Sequence, residues 1–244
     1  NASQEPLEPE AAINLYTIPD SQVREEGGVL FWYNAFIRVD PMGTGHAQMS
    51  CPLPYDITLG NAQSHMHRRG SSYQATHVFP DGSRRPLDEN SQWEGVPVKN
   101  GSGGYQVPAN SRIEYFCGYT NPEARTVYQG PTSRDEMCMF ISSYWPARAD
   151  VSNCALSEED WQNTQNLNAD WVGQGTDTCA QTLGCIQQIE GGGGFFEFIA
   201  GLTDCVIASR PESSEVMSDG VRCLLSSADP LTECQAEIQA CLGE

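Results

Sequence analysis

Arg112-Ile113-Glu114-Tyr115-Phe116-Cys117-Gly118-Tyr119 is the stretch that decides the fold class. It carries three aromatics and Ile113, and turn formers stand beside it at Pro108, Asn110 and Asn121-Pro122. That composition and bracketing predict a strand. Residues 29–39 and 137–145 read the same way. Around them Tyr, Phe, Val and Ile recur in short runs broken by Pro, Gly, Asn and Asp. Many short strands without a helical repeat imply a mainly β fold, an antiparallel β-sandwich or jelly roll.

The pattern changes past residue 150. Ser157-Glu158-Glu159 precedes an apolar-periodic stretch, residues 195–207 repeat at helical spacing, and residues 230–242 predict one capped short helix. Gly191-Gly192-Gly193-Gly194 reads as a flexible connection. Charge shifts too: residues 1–150 hold 11 basic and 17 acidic side chains, whereas residues 151–244 hold only Arg210 and Arg222 against 15 acidic ones. The expected organisation is an extension over 1–27, a β-sandwich over 28–155 and a small disulfide-rich helical domain over 156–244.

The 244 residues carry a net charge of −19, with a pI near 4.4. A nucleic-acid surface would need a concentrated basic patch, and an anionic membrane would repel this chain, so neither is an expected partner. Arg68-Arg69 and Arg84-Arg85 are read as local salt-bridge partners. No run of 18 apolar residues occurs, which excludes a spanning helix by that measure. Ten cysteines without a C-x-x-C pair indicate a disulfide framework made in an oxidising compartment. Two sequons, Asn1-Ala2-Ser3 and Asn100-Gly101-Ser102, and a polar, acidic opening with no visible signal peptide fit an exported mature form, secreted or periplasmic. G-x-S-x-G, H-E-x-x-H and P-loop patterns are all missing, so serine hydrolase, zincin and nucleotide chemistry lack support.

The chemistry points to His65-Met66-His67. Residues i and i+2 of a strand share a face, so both imidazoles can bind one ion; a pair of exposed strand histidines is the alternative. Ser133-Arg134-Asp135-Glu136-Met137-Cys138 is the second clue, with Met137 and Cys138 expected on opposite faces of a strand. Taken alone, Met137 reads as core packing. His46, in Gly43-Thr44-Gly45-His46, is expected in a solvent-exposed turn. His77 is expected to be a packed or surface histidine.

Together, His65-Met66-His67-Arg68-Arg69-Gly70 and Gly130-Pro131-Thr132-Ser133-Arg134-Asp135-Glu136-Met137-Cys138 resemble the second catalytic domain of the type II copper, ascorbate-dependent monooxygenases. These are the peptidylglycine α-hydroxylating and dopamine β-monooxygenases, and the resemblance spans roughly residues 28–155. It implies that His65, His67 and Met137 bind the copper that activates dioxygen, one per chain. It also implies bridges Cys117–Cys138, tying the Met137 strand to its neighbour, and Cys51–Cys154. Six cysteines then remain (Cys179, Cys185, Cys205, Cys223, Cys234 and Cys241), with 15 possible connectivities. Two imidazoles and a thioether form a soft donor set that suits Cu(I) and disfavours Ca²⁺ and Mg²⁺.

This chain departs from the family in two respects. Only His46 and His77 remain beyond the implied ligands, too few for the three-histidine copper site that supplies an electron in the family. Gln63, Met139 and Ile141 stand where the peptide-amidating member has Arg, Asn and Tyr, so amidation of glycine-extended peptides is not expected. Two functions follow from the resemblance. One is a copper monooxygenase hydroxylating a small organic substrate with an external reductant such as ascorbate or a separate electron-donating partner. The other is a non-catalytic copper-binding, copper-handling or interaction protein that lost the electron relay.

Overall fold

The computed structural model describes residues 8, 10, 12–148, 154, 168–189 and 194–243. Among these residues eleven strands, all paired antiparallel, form two main sheets and a two-stranded ribbon. The strands are β1 (Gly28–Tyr33), β2 (Arg38–Val39), β3 (Thr44–Leu53), β4 (Ile57–Met66), β5 (Gly70–Val78) and β6 (Arg84–Asn90). They continue as β7 (Lys99–Val107), β8 (Ser111–Thr120), β9 (Val127–Tyr128), β10 (Cys138–Trp145) and β11 (Asp170–Trp171). One sheet runs β1-β10-β4-β7 and the other β11-β3-β8-β5-β6, while β2 pairs with β9. The helices are α1 (Cys179–Ile186), α2 (Phe195–Ala208), α3 (Ser214–Ser226), α4 (Pro230–Glu233) and α5 (Gln235–Leu242). The expected mainly β fold with a small disulfide-rich helical part is the observed one.

Alternation builds the core. Along β8, Ile113, Tyr115, Cys117 and Tyr119 turn inward, and from the facing sheet Leu30, Trp32 and Phe140 meet them. The Phe140 ring lies 5.9 Å from Trp32 and 6.3 Å from Tyr115. The Cys117–Cys138 disulfide joins β8 to β10, so it crosses from sheet to sheet; β10's ladder neighbours are β1 and β4. This corrects the expectation of a tie between neighbouring strands. Cys51 bridges Cys154.

Several other expectations change. Residues 29–39 are not one strand: β1 ends at Tyr33, and buried Asn34 turns the chain. Its Oδ1 accepts from the Phe36 N–H at 2.9 Å and its Nδ2 donates to the Gln48 carbonyl at 3.1 Å. An Asx turn of this kind competes with the ladder for the backbone. Residues 230–242 form two short helices meeting at Cys234, with no side-chain cap at either start. Helices α1 and α3 were not anticipated; α1 begins in a capping box of Thr178 and Gln181. The segment at Ser157-Glu158-Glu159 and three of the four connecting glycines lie outside the described residues.

The helical part is welded onto the sandwich. Trp171, fully buried, meets Phe36 edge to face at 4.7 Å, and its backbone N–H donates to Ser218 Oγ of α3 at 2.9 Å. Asp170 pairs with both Arg112 of β8 and Arg222 of α3. Helix α2 is held on the β2–β9 ribbon through Asp204, which accepts from Arg38 Nη1 at 3.1 Å and from the Tyr128 hydroxyl at 3.1 Å. Three further bridges close this part: Cys179–Cys241, Cys185–Cys205 and Cys223–Cys234.

Candidate metal centre

A break in alternation decides which way His65 faces. Ile57 and Leu59, at the start of β4, point inward, but at the far end Ala62, Ser64 and Met66 do. The register with β7 shifts between Leu59 and Asn61, and this bulge flips the parity of the strand. Gly60 makes room: a Cβ there would meet Ser143 Oγ at 2.5 Å and Trp145 at 2.9 Å. Asn61 fixes the opposite strand, its Oδ1 accepting from the Ser143 N–H at 2.7 Å. Beyond the bulge, His65 looks outward from the sheet, directly across from Met139 on β10.

His67 lies one residue past β4, in the tight turn to β5, where the Gly70 N–H donates to the His67 carbonyl at 2.9 Å. The two imidazole rings are perpendicular, with centroids 5.3 Å apart, an arrangement in which both can converge on one ion. His67 Nδ1 is 3.0 Å from the Asp135 carbonyl, an acceptor only. This contact fixes the tautomer with the proton on Nδ1 and leaves Nε2 with its lone pair free, the usual preparation of a ligating histidine. Burial pushes the His65 imidazole below its ordinary pKa, with a smaller push from His67, and so favours the neutral form that binds metals.

The segment carrying Met137 is a built loop. Thr132 Oγ1 donates to Asp135 Oδ2 at 2.6 Å, and Gly130 lies so close to Asp135 that a Cβ would stand 2.7 Å from the carboxyl carbon. Glu136 is fully buried and accepts from the backbone N–H of His67 at 3.0 Å and of Arg69 at 2.9 Å, tying this loop to the histidine turn. Burial lifts its carboxyl above the ordinary range, against the opposing pull of those N–H donors. Met137 stands just before β10, not within it. Its carbonyl accepts from the buried Tyr119 hydroxyl at 2.9 Å, and its neighbour Cys138 is anchored in the core by the cross-sheet disulfide. Because Cys138 pairs with Met66, Met137 and His67 leave adjacent strand ends.

His65 and Met137 line one cavity of about 400 Å³, with Phe31, Tyr33, Met139 and Ile141 from the sheet and Phe195 and Phe196 from α2. Met139 and Ile141 follow Met137 at period two and are legible from it, whereas Phe195 and Phe196 carry no sequence signal toward this site. Among the described residues no three His, Cys, Asp or Glu side chains converge on one point.

The other two histidines belong elsewhere. His46 is not in an exposed turn; it sits half-buried within β3, stacked on Phe116 at 5.3 Å, because β3 starts at Thr44. His77 is buried in β5 between the Tyr105 hydroxyl (2.7 Å) and Ser111 Oγ (2.9 Å). Arg68 and Arg69 pair with Glu123 at 2.5 and 2.6 Å and Arg84 with Glu114 at 2.6 Å, while Arg85 lies over the Tyr105 ring at 4.7 Å.

A family model for the C-terminal domain of copper type II ascorbate-dependent monooxygenases matches residues 42–167. No curated protein matches the chain. A chain in a solved structure titled "Structure of infectious bursal disease virus Gt strain" is similar at 10% identity, covering 54% of this chain and 36% of that one, with a TM-score of 0.23. Similarity at that level carries no argument.

Proposed function

The chain belongs to the copper type II ascorbate-dependent monooxygenase family through that C-terminal domain, and on this premise we propose a secreted, single-copper oxidoreductase that hydroxylates a C–H bond of a small organic substrate. His65, His67 and Met137 hold the copper, and an external reductant such as ascorbate, or an electron-donating partner, supplies electrons. Bound copper would contribute the one-electron redox chemistry that dioxygen needs to attack a C–H bond. The chain's own residues do the rest. The Asp135 carbonyl holds the His67 proton on Nδ1, Glu136 locks the histidine turn to the methionine loop, and Tyr119 with Cys138 sets the depth of Met137. Apolar side chains around the cavity keep water from the reacting bond. Five disulfides fit an oxidising, extracellular setting.

The observation that carries this reading is the prepared pair His65 and His67 beside Met137. Its test is Cu(I) and Cu(II) affinity in Met137→Ala. The thioether serves mainly the soft reduced ion, so Cu(I) binding should weaken on the scale of the roughly 10–100-fold that changes around a metal site cost, with Cu(II) binding much less affected. Equal losses for both ions would remove Met137 from the donor set.

One observation favours a second reading, a non-catalytic copper-binding protein. His46 and His77 are packed in the other sheet, so this chain holds no second histidine cluster. Reductant-dependent oxygen uptake by the copper-loaded protein separates the two: uptake supports the monooxygenase, and copper binding without uptake supports the alternative.

A further inference from the structure

The cavity beside His65 and Met137 has a composition that restricts what it can hold. Phe31, Tyr33, Met139 and Ile141 form its floor on the outer face of the four-stranded sheet, and Phe195 and Phe196 cover it from the start of α2. Among the described residues that line it none is an Asp, Glu, Lys or Arg; the polar ones are His65, Gln129 and Tyr33. In a chain with 32 acidic and 13 basic side chains, an uncharged concavity of this size is selective. At about 400 Å³ it stands toward the small end of the roughly 300–1,000 Å³ typical of ligand sites, room for a single-ring compound but not a peptide. An ionised carboxylate or ammonium seated against these side chains would give up part of its water and meet no counter-charge among the described lining residues, which is costly.

The covering wall is not a loose end. Ile199, Leu202 and Val206 of α2 are buried, Cys205 is bridged to Cys185, and Asp204 is hydrogen-bonded to Arg38 and Tyr128 on the ribbon. The two phenylalanines therefore reach the cavity from a helix fixed to the sandwich. That helix lies outside the residues matched by the family domain, 42–167.

We propose that this cavity is the substrate pocket, that it takes a neutral, apolar, single-ring compound, and that Phe195 and Phe196 of α2 set its specificity. The assignment as a substrate pocket rests on the reading of His65 and Met137 as copper ligands; the binding preference does not depend on metal. The test therefore uses the whole 244-residue chain, free of metal, and three isosteric probes: phenylbutanol (neutral), phenylbutanoate (anionic) and phenylbutylamine (cationic). Titration followed by calorimetry or NMR should show phenylbutanol binding at least about tenfold tighter than either charged probe.

Phe196 and Phe31 are 43% and 56% exposed, so truncating either leaves the folded core intact. Phe196→Ala and Phe31→Ala should each weaken phenylbutanol by about fivefold or more, and Phe196→Leu should restore most of the loss. Equal affinity for all three probes overturns the proposal, as does unchanged phenylbutanol affinity in Phe196→Ala. Copper affinity measured on the same proteins separates the two readings. Selective probe binding without copper binding supports the pocket and removes the copper site. Copper binding with indifferent probe affinities overturns the pocket and leaves the copper site standing.

Discussion

In the β-sandwich each long strand has ladder partners, and its two disulfides cross-tie an aromatic and aliphatic core that is already continuous. The helical part is built otherwise. Of the five α-helices among its described residues, α1 and α5 have 8 residues and α4 has 4, below the roughly 12–15 at which an isolated helix becomes even marginal in water. Three bridges hold them, and Trp171, Asp170 and Asp204 dock them. The contrast shows where each kind of rigidity is used. Candidate ligands sit on ladder-locked strand ends, whereas one wall of the cavity comes from an element that depends on covalent staples. Stability and site geometry should therefore be separable by mutation in one region and inseparable in the other.

The sharpest way to break that contrast is Trp171→Ala, which attacks the joint. A fully buried Trp with partners in both regions should cost toward the top of the roughly 3–5 kcal/mol seen for such truncations. Calorimetry should resolve a separate, earlier transition for the helical part. A single transition at the wild-type temperature would mean that the weld is made elsewhere.

Next in size is removal of Cys179–Cys241, which spans 62 residues; the loop-entropy account gives about 4 kcal/mol. Denaturant midpoints should fall accordingly while Cu(I) affinity stays unchanged. Removal of Cys117–Cys138, spanning 21 residues, should cost about 3 kcal/mol yet also weaken Cu(I) binding, because the depth of Met137 depends on it. Comparable copper affinity in the two double-alanine variants would erase the distinction between the regions.

The smallest effect expected is a pH dependence confined to the sandwich. Burial, helped by the Arg85 charge, lowers the pKa of His77 below its ordinary 6.5. The unfolded chain then binds a proton that the folded one refuses. The stability His77 allows is thus complete above pH 6.5 and lost as pH falls from there through its lowered folded value. His77→Gln, which can still hydrogen-bond in the cleft, should flatten that limb of the stability curve, measured by urea unfolding between pH 7 and 5. An unchanged limb would assign the dependence to another group.

Much of the sandwich was legible because alternation and turn formers are local. Residues 112–119 sit inside β8, and residues 137–145 run one residue longer than β10. The break at Asn34 was not legible, since its side chain becomes a turn only with the Gln48 carbonyl in reach. Helix α3 buries Ser214, Met217, Ser218, Val221 and Leu225 at helical spacing, but two of these are serines, so the apolar residues alone do not display the repeat; α1, with 8 residues, is too short to show one.

Sequence by itself determined the β class, the acidic charge balance, the number of cysteines, and the placing of His65 and His67 on either side of Met66. These depend only on composition and nearest-neighbour spacing. Tertiary structure alone decided which face His65 presents, through the Gly60-Asn61 bulge, and that Cys117–Cys138 joins the two sheets. It also selected one of 15 pairings for the last six cysteines and brought Phe195 and Phe196 to a cavity formed by strands more than fifty residues away in sequence. Parity, pairing and long-range contact are properties of how elements pack, and a linear pattern carries no record of them until the chain has folded.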